Sequence, residues 1–184
     1  ALSGILEVTV SSVTAEDPVD LTDDVWTPGA SSINFGTMTR DPEWKIFRGS
    51  TYYAVDVAVV DNTGRSWTLT HTTSPVRLFR SRLNEDLNES INVAFAKVIK
   101  PRGATADEET FLSRGTYKES NNAQFNRATL EGGKGGWLRI YYGIATGNTD
   151  SARGSTDPAG AFPVAQHQQA DLYRGGVTLT LTPQ

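Results

Sequence analysis

The sequence predicts an all-β fold, an antiparallel β-sandwich of about seven or eight strands. Three observations carry this. Segments in which apolar and polar residues alternate recur along the whole chain, as half-buried strands require. Glycine (17) and proline (8) accompany many Thr and Val residues, a composition of short strands joined by turns. No sustained helical period appears, nor any repeat of about 20–50 residues. A β-barrel or jelly roll is the second architecture that fits. At 184 residues the chain is read as one domain with room for a substantial core.

The first element is residues 1–13. Leu6, Val8 and Val10 alternate with Glu7, Thr9 and Ser11, giving a strand with one apolar face. Such a strand offers a bare backbone edge as well, so it must be buried in its own domain or in a neighbour's. Residues 14–31, which carry Pro18 and several aspartates, read as a connector, and residues 32–184 as the β-sandwich domain.

Within that domain, Ser32 to Phe35 reads as a short strand entering a turn at Gly36. Tyr53, Val55, Val57 and Val59 line one face of a strand, and Trp67 to Thr72 resumes the two-residue period. Between them Asp61-Asn62-Thr63-Gly64-Arg65 has hairpin chemistry, so residues 53–72 are predicted to form one β-hairpin. Val76 and Leu78 start a further strand, and Ile91, Val93 and Phe95 another that ends by Pro101. Thr105 to Glu109 reads as the cap of a short helix ending near Leu112. Trp137 to Ile144 is apolar on both faces, as a central strand would be. A loop from Thr146 to Asp171 precedes the alternating closing strand at Val177 to Thr182.

Catalytic chemistry finds few candidates. Of the two histidines, His71 is in phase with Trp67 and Leu69, as a packed or rim residue would be, and His167 sits in a Gln-rich loop. No nucleophile elbow, zinc-protease helix or phosphate loop occurs; Gly132 to Gly136 precedes a strand, whereas a phosphate loop feeds a helix. The chain is therefore expected not to be an enzyme and to need no cofactor. Asp17, Asp20, Asp23 and Asp24 miss the EF-hand spacing, so no metal is expected either. The absence of cysteine excludes disulfides and thiolate chemistry. Asn88-Glu89-Ser90 matches the N-glycosylation sequon. Trp67 and Trp137 lie in strands and are expected in the core, which leaves Trp26 and Trp44 as the better ligand candidates.

A net charge of -4, with both signs scattered, argues against nucleic acid as a partner. No apolar run approaches the roughly 20 residues of a membrane span, so membrane insertion is not expected. The chain opens on Ala1 and not Met, as a secreted protein does once its targeting segment is removed.

Several segments resemble one family. Ile33-Asn34-Phe35-Gly36-Thr37 resembles a short strand of secreted pilin domains of the spore-coat-U type. Val59 to Thr70 is similar to the hairpin of such pilins and of WxL-type surface domains, and Tyr173 to Pro183 to their closing strand. Spore-coat-U-type pilins usually carry a disulfide that this chain cannot form, which shifts the likeness toward cysteine-free filament proteins of the TasA-like kind. The connector is also long for a donor arm. The resemblance implies an incomplete immunoglobulin-like sandwich, completed by the N-terminal donor strand of the next subunit. Carried over, Ile5, Leu6, Val8, Val10 and Val13 are the donor side chains, and Val177, Leu179 and Leu181 line the acceptor groove.

The function so implied is a structural subunit of an extracellular filament or pilus on the cell surface. Its partners are copies of itself, with an assembly chaperone as a further candidate. A self-complete β-sandwich binding carbohydrate or a surface partner is the alternative, and a viral coat subunit a third.

Overall fold

The computed structural model describes residues 4–14, 26–28, 32–43, 45–48, 51–61, 65–78, 85–99, 109–131, 137–147 and 157–184. In chain order the strands are β1 (Gly4–Thr14), β2 (Trp26–Pro28), β3 (Thr39–Asp41), β4 (Ile46–Arg48), β5 (Thr51–Asp61) and β6 (Trp67–Leu78). They continue with β7 (Ile91–Val98), β8 (Glu109–Thr116) and β9 (Ala123–Asn126), then a single helical turn α1 (Arg127–Glu131). The last are β10 (Trp137–Ile144), β11 (Val164–Ala165) and β12 (Tyr173–Pro183).

The fold is all-β and antiparallel, as expected, but its strands form three sheets rather than a simple pair. The large sheet runs β2-β1-β5-β10-β7-β8, a second β12-β6-β9, and a small third β11-β4-β3. The first two pack face to face. Val55 and Val57 of β5, Leu138, Ile140 and Tyr142 of β10, and Val93 and Phe95 of β7 meet Trp67 and Leu69 of β6 and Phe125 of β9 in one buried core.

β10 is the central strand its apolar pattern predicts. It lies between β5 and β7, and Leu138 to Ile144 are buried without exception. The predicted hairpin does not form. β5 gives its two edges to β1 and β10, so β6 finds no place beside it and crosses to the other sheet. The chain thereby sets Trp67 and Leu69 in the same core as Val55 and Val57. Turn chemistry at 61–65 does not choose between a hairpin and a crossover, and residues 62–64 themselves lie outside the described set.

Other expectations also change. Residues 32–38 carry no regular strand, although Ile33 and Phe35 pack against the core. The predicted helix reached Leu112, yet Glu109 onward is strand β8; residues 101–108 lie outside the described set. Val76 and Leu78 belong to β6 rather than to a separate strand. A bulge breaks the two-residue period. Opposite Pro75 and Val76, β12 has the single residue Gly175, so the inward phase of β6 moves from odd positions (Trp67, Leu69, His71) to even ones (Val76). Gly175 is required there, since a Cβ would stand 2.5 Å from Val76 Cγ2 and 3.0 Å from its Cα.

The loops are tied by polar side chains. Asp157 accepts hydrogen bonds from the Thr146 and Gly147 amides (3.1 and 2.8 Å) and from Asn92 Nδ2 (2.8 Å). Asn126 caps α1 by accepting from the Thr129 amide at 2.9 Å.

Candidate functional site

The two terminal strands define the site. β1 lies antiparallel along β5 of its own chain for all eleven residues, from Gly4 opposite Asp61 to Thr14 opposite Thr51. The register pairs Leu6, Val8 and Val10 with Val59, Val57 and Val55. Ile5 and Val13, paired with Val60 and Tyr52, fall in the alternate phase. On its other edge β1 takes β2, so part of the 14–31 connector is itself a strand: Thr9, Val10 and Ser11 face Pro28, Thr27 and Trp26.

β5 depends on this cover. Ala54, Val55, Asp56, Val57 and Ala58 are consecutive and all buried. A bare edge at five buried residues would be a template for any passing strand, so β1 or an equivalent must occupy it.

β12 belongs to the second sheet. His71 of β6 meets Tyr142 of β10 and Phe95 of β7, with ring centroids 6.1 and 5.1 Å away, and Phe125 of β9 meets Phe95 at 4.8 Å. Leu179 and Leu181 are partly buried against the core, while Val177 is 39% exposed. β12 pairs only with β6 among the described residues, which leaves its second edge without a strand. The expected donor and acceptor residues thus lie in different sheets.

Polar groups buried at the strand junctions reinforce this frame. On the face of the large sheet away from the second sheet, Arg139 of β10 grips Asp56 of β5 through Nε–Oδ1 (2.7 Å) and Nη2–Oδ2 (3.0 Å), both side chains fully buried. Burial works against the guanidinium charge, but the Asp56 carboxylate overcomes it and holds the Arg139 pKa above its ordinary value. Beside them Tyr141 donates to Glu109 at 2.6 Å. Burial raises the Glu109 pKa, and the Tyr141 hydrogen bond and Arg139 charge only partly offset it.

Between the two sheets His71 is wholly buried. Its Nδ1 lies 2.9 Å from the Ser120 carbonyl and must carry the proton, so Nε2 accepts from the Tyr142 hydroxyl at 2.8 Å. Burial lowers the His71 pKa below 6.5, against the pull of the Ser120 carbonyl. Tyr117 reaches the bulge, its hydroxyl 2.6 Å from the Gly176 carbonyl and 3.0 Å from that of Ser74; burial pushes its pKa up to about 12. The Asp56, Arg139 and His71 side chains have no exposed surface. Sequence pattern placed His71 inside but could not name Ser120 and Tyr142, which lie 49 and 71 residues away.

The remaining candidates are dispersed. Trp67 is a core residue, 1% exposed, and Trp137 is half-buried. Trp26 lies in β2, while Trp44 and the aspartates at 17, 20, 23 and 24 fall outside the described residues. His167 is exposed, and the side chain of Asn88 accepts from the Val76 amide at 2.8 Å. Among the described residues no group of three or more His, Asp or Glu could hold a metal. Comparison with known proteins found no matching family model, no matching curated protein and no matching solved structure.

Proposed function

We propose that this chain is the structural subunit of an extracellular filament that polymerises by strand exchange, β1 of one copy lying along β5 of the next. The observation that carries the reading is the β1–β5 ladder. β1 matches β5 over eleven residues, and β12 keeps an edge without a strand partner among the described residues. The immunoglobulin-like sandwich of one subunit is then completed by its neighbour. Because an exchanged β1 makes the same contacts in trans as in cis, exchange sacrifices no burial, and concentration decides between the closed and the linked form. Four aliphatic residues at roughly 1.5–3 kcal/mol each would give such a joint on the order of 6–12 kcal/mol before the entropy of ordering the strand. Secretion to the cell surface, and an assembly chaperone to cover the open edge before polymerisation, belong to the same reading.

The pairing of β1 with its own β5 favours a second reading, a self-complete β-sandwich that binds carbohydrate or a surface partner. One experiment separates the two. The chain has no cysteine, so Glu7→Cys with Ala58→Cys, opposite each other in the ladder, creates a single reporter. Oxidised at high protein concentration, a filament subunit gives a ladder of multimers on a non-reducing gel. A product that is wholly monomeric and internally bridged defeats the filament reading and leaves the binding module.

A further inference from the structure

One row of register partners crosses the large sheet from β1 to β7: Thr9, Asp56, Arg139, Ala96. Its centre is the buried Asp56–Arg139 ion pair, flanked along β5 by the buried Ala54 and Ala58. We propose that Asp56, held by Arg139, sets the register in which a strand docks along β5 and selects which strands are accepted there.

The argument rests on what each slip would bring opposite Asp56. In the observed register Glu7, Thr9 and Ser11 partner Ala58, Asp56 and Ala54, while Leu6, Val8 and Val10 partner valines. A slip of one residue inverts the faces and is rejected by the apolar pattern alone. A slip of two is different, because it restores the phase. In one direction it would set Leu6, Val8 and Val10 against Val57, Val55 and Tyr53, so apolar matching survives almost intact. In that register Glu7 would stand opposite Asp56, two carboxylates meeting at a buried position beside a single guanidinium whose Nε and Nη2 already serve Asp56. The opposite slip would set Ser12 against Val55 and Leu6 against Asp61, and the apolar match fails. Hydrophobicity therefore excludes every nearby register except one, and Asp56 excludes that one. A buried ion pair used to fix register is the role in which such pairs are best attested. The inference concerns the ladder itself and holds whether the strand comes from the same copy or the next. It also fixes the partner's chemistry: an alternating aliphatic strand with an uncharged residue at the Thr9 position.

The test keeps Ala54→Cys constant and varies its partner. Ser11→Cys reports the observed register, and Thr9→Cys reports the two-residue slip. In the parent, oxidation should close the first bridge and leave the second open. Replacing the pair together (Asp56→Leu with Arg139→Met) removes the lock without leaving a lone buried charge, and the slipped bridge should rise about tenfold. Glu7→Gln removes the clash from the other side and leaves the core untouched, with a smaller rise of about threefold. If the double variant fails to fold, Glu7→Gln decides alone. A slipped bridge that stays at the parental level in the folded variants overturns the proposal.

Discussion

β1 and β12 are each eleven residues long, lie in different sheets and are fastened in different ways. β12 is stitched to its domain by side chains along its length. Tyr173 meets Gln168 at 2.8 Å, Tyr117 holds the Gly176 carbonyl, and Gln184 beyond the strand bonds the Ser66 carbonyl and Thr68 Oγ1. A bulge at Gly175 forbids it to slide. β1 is joined by an unbroken ladder to β5 and a three-residue one to β2. These bonds tie β12 to its own domain, whereas the proposed exchange rests on the β1–β5 ladder, which another copy can reproduce.

The largest effect should come from Val8→Asp. Val8 partners Val57, which is completely buried, so the change should cost several kcal/mol, on the order of 3–5, and abolish stable docking. Sedimentation should show loss of polymer, and a melt should show a domain weakened on the β5 edge. If wild-type-like polymers persist, β1 is not the exchanged element. Trp67→Ala should cost about 3–5 kcal/mol through its cavity, a fall of about 6–20 °C in melting temperature. Because Trp67 partners Pro183 of β12, this loss should appear in urea titrations of a docking-deficient subunit as well. Gly175→Ala should be smaller, about 1–3 kcal/mol, since Val76 must give way to the new methyl group. It should loosen β12 without altering which strand crosslinks to β5.

Acid should act on the common core. The folded pKa of His71 lies below 6.5, so beneath that pH the unfolded chain binds the proton more readily than the folded one. Stability due to this group is present above pH 6.5 and lost as pH falls from there through the lowered value. Urea midpoints measured between about pH 7.5 and 5 should decline, and His71→Gln should flatten the curve. The smallest expected effect is none: a chelator should leave melting and assembly unchanged, and a clear fall would reopen calcium binding at Asp17 to Asp24.

The strands were legible where one period governs them. β5, β7, β10 and β12 show their alternation or double burial directly, and β1 shows its two faces. Pairing was not legible, since the residues of 53–72 fit a hairpin or a crossover equally well and only the competition for the edges of β5 decides. The bulge hid the unity of β6, because Gly175 lies about a hundred residues from the phase change it causes. β8 was hidden by the local helix signal opening at Thr105 to Glu109, which pairing with β7 overrides from Glu109 opposite Val98 onward. The Asp56–Arg139 pair escaped for a similar reason: two charges 83 residues apart become neighbours only when β5 and β10 are known to be adjacent.

The length of the β1–β5 ladder also bears on mechanical load. Tension directed along β1 acts on all its rungs at once, so they must fail together, whereas tension across it would open them one after another. Rupture under force is a matter of rate, set by the height of the barrier to pulling the strand out. In a filament linked through this ladder, each joint would be strongest along the fibre axis and weakest to peeling from its end at Gly4. A pulling experiment on linked subunits should therefore give a high rupture force in shear and a low one in peel.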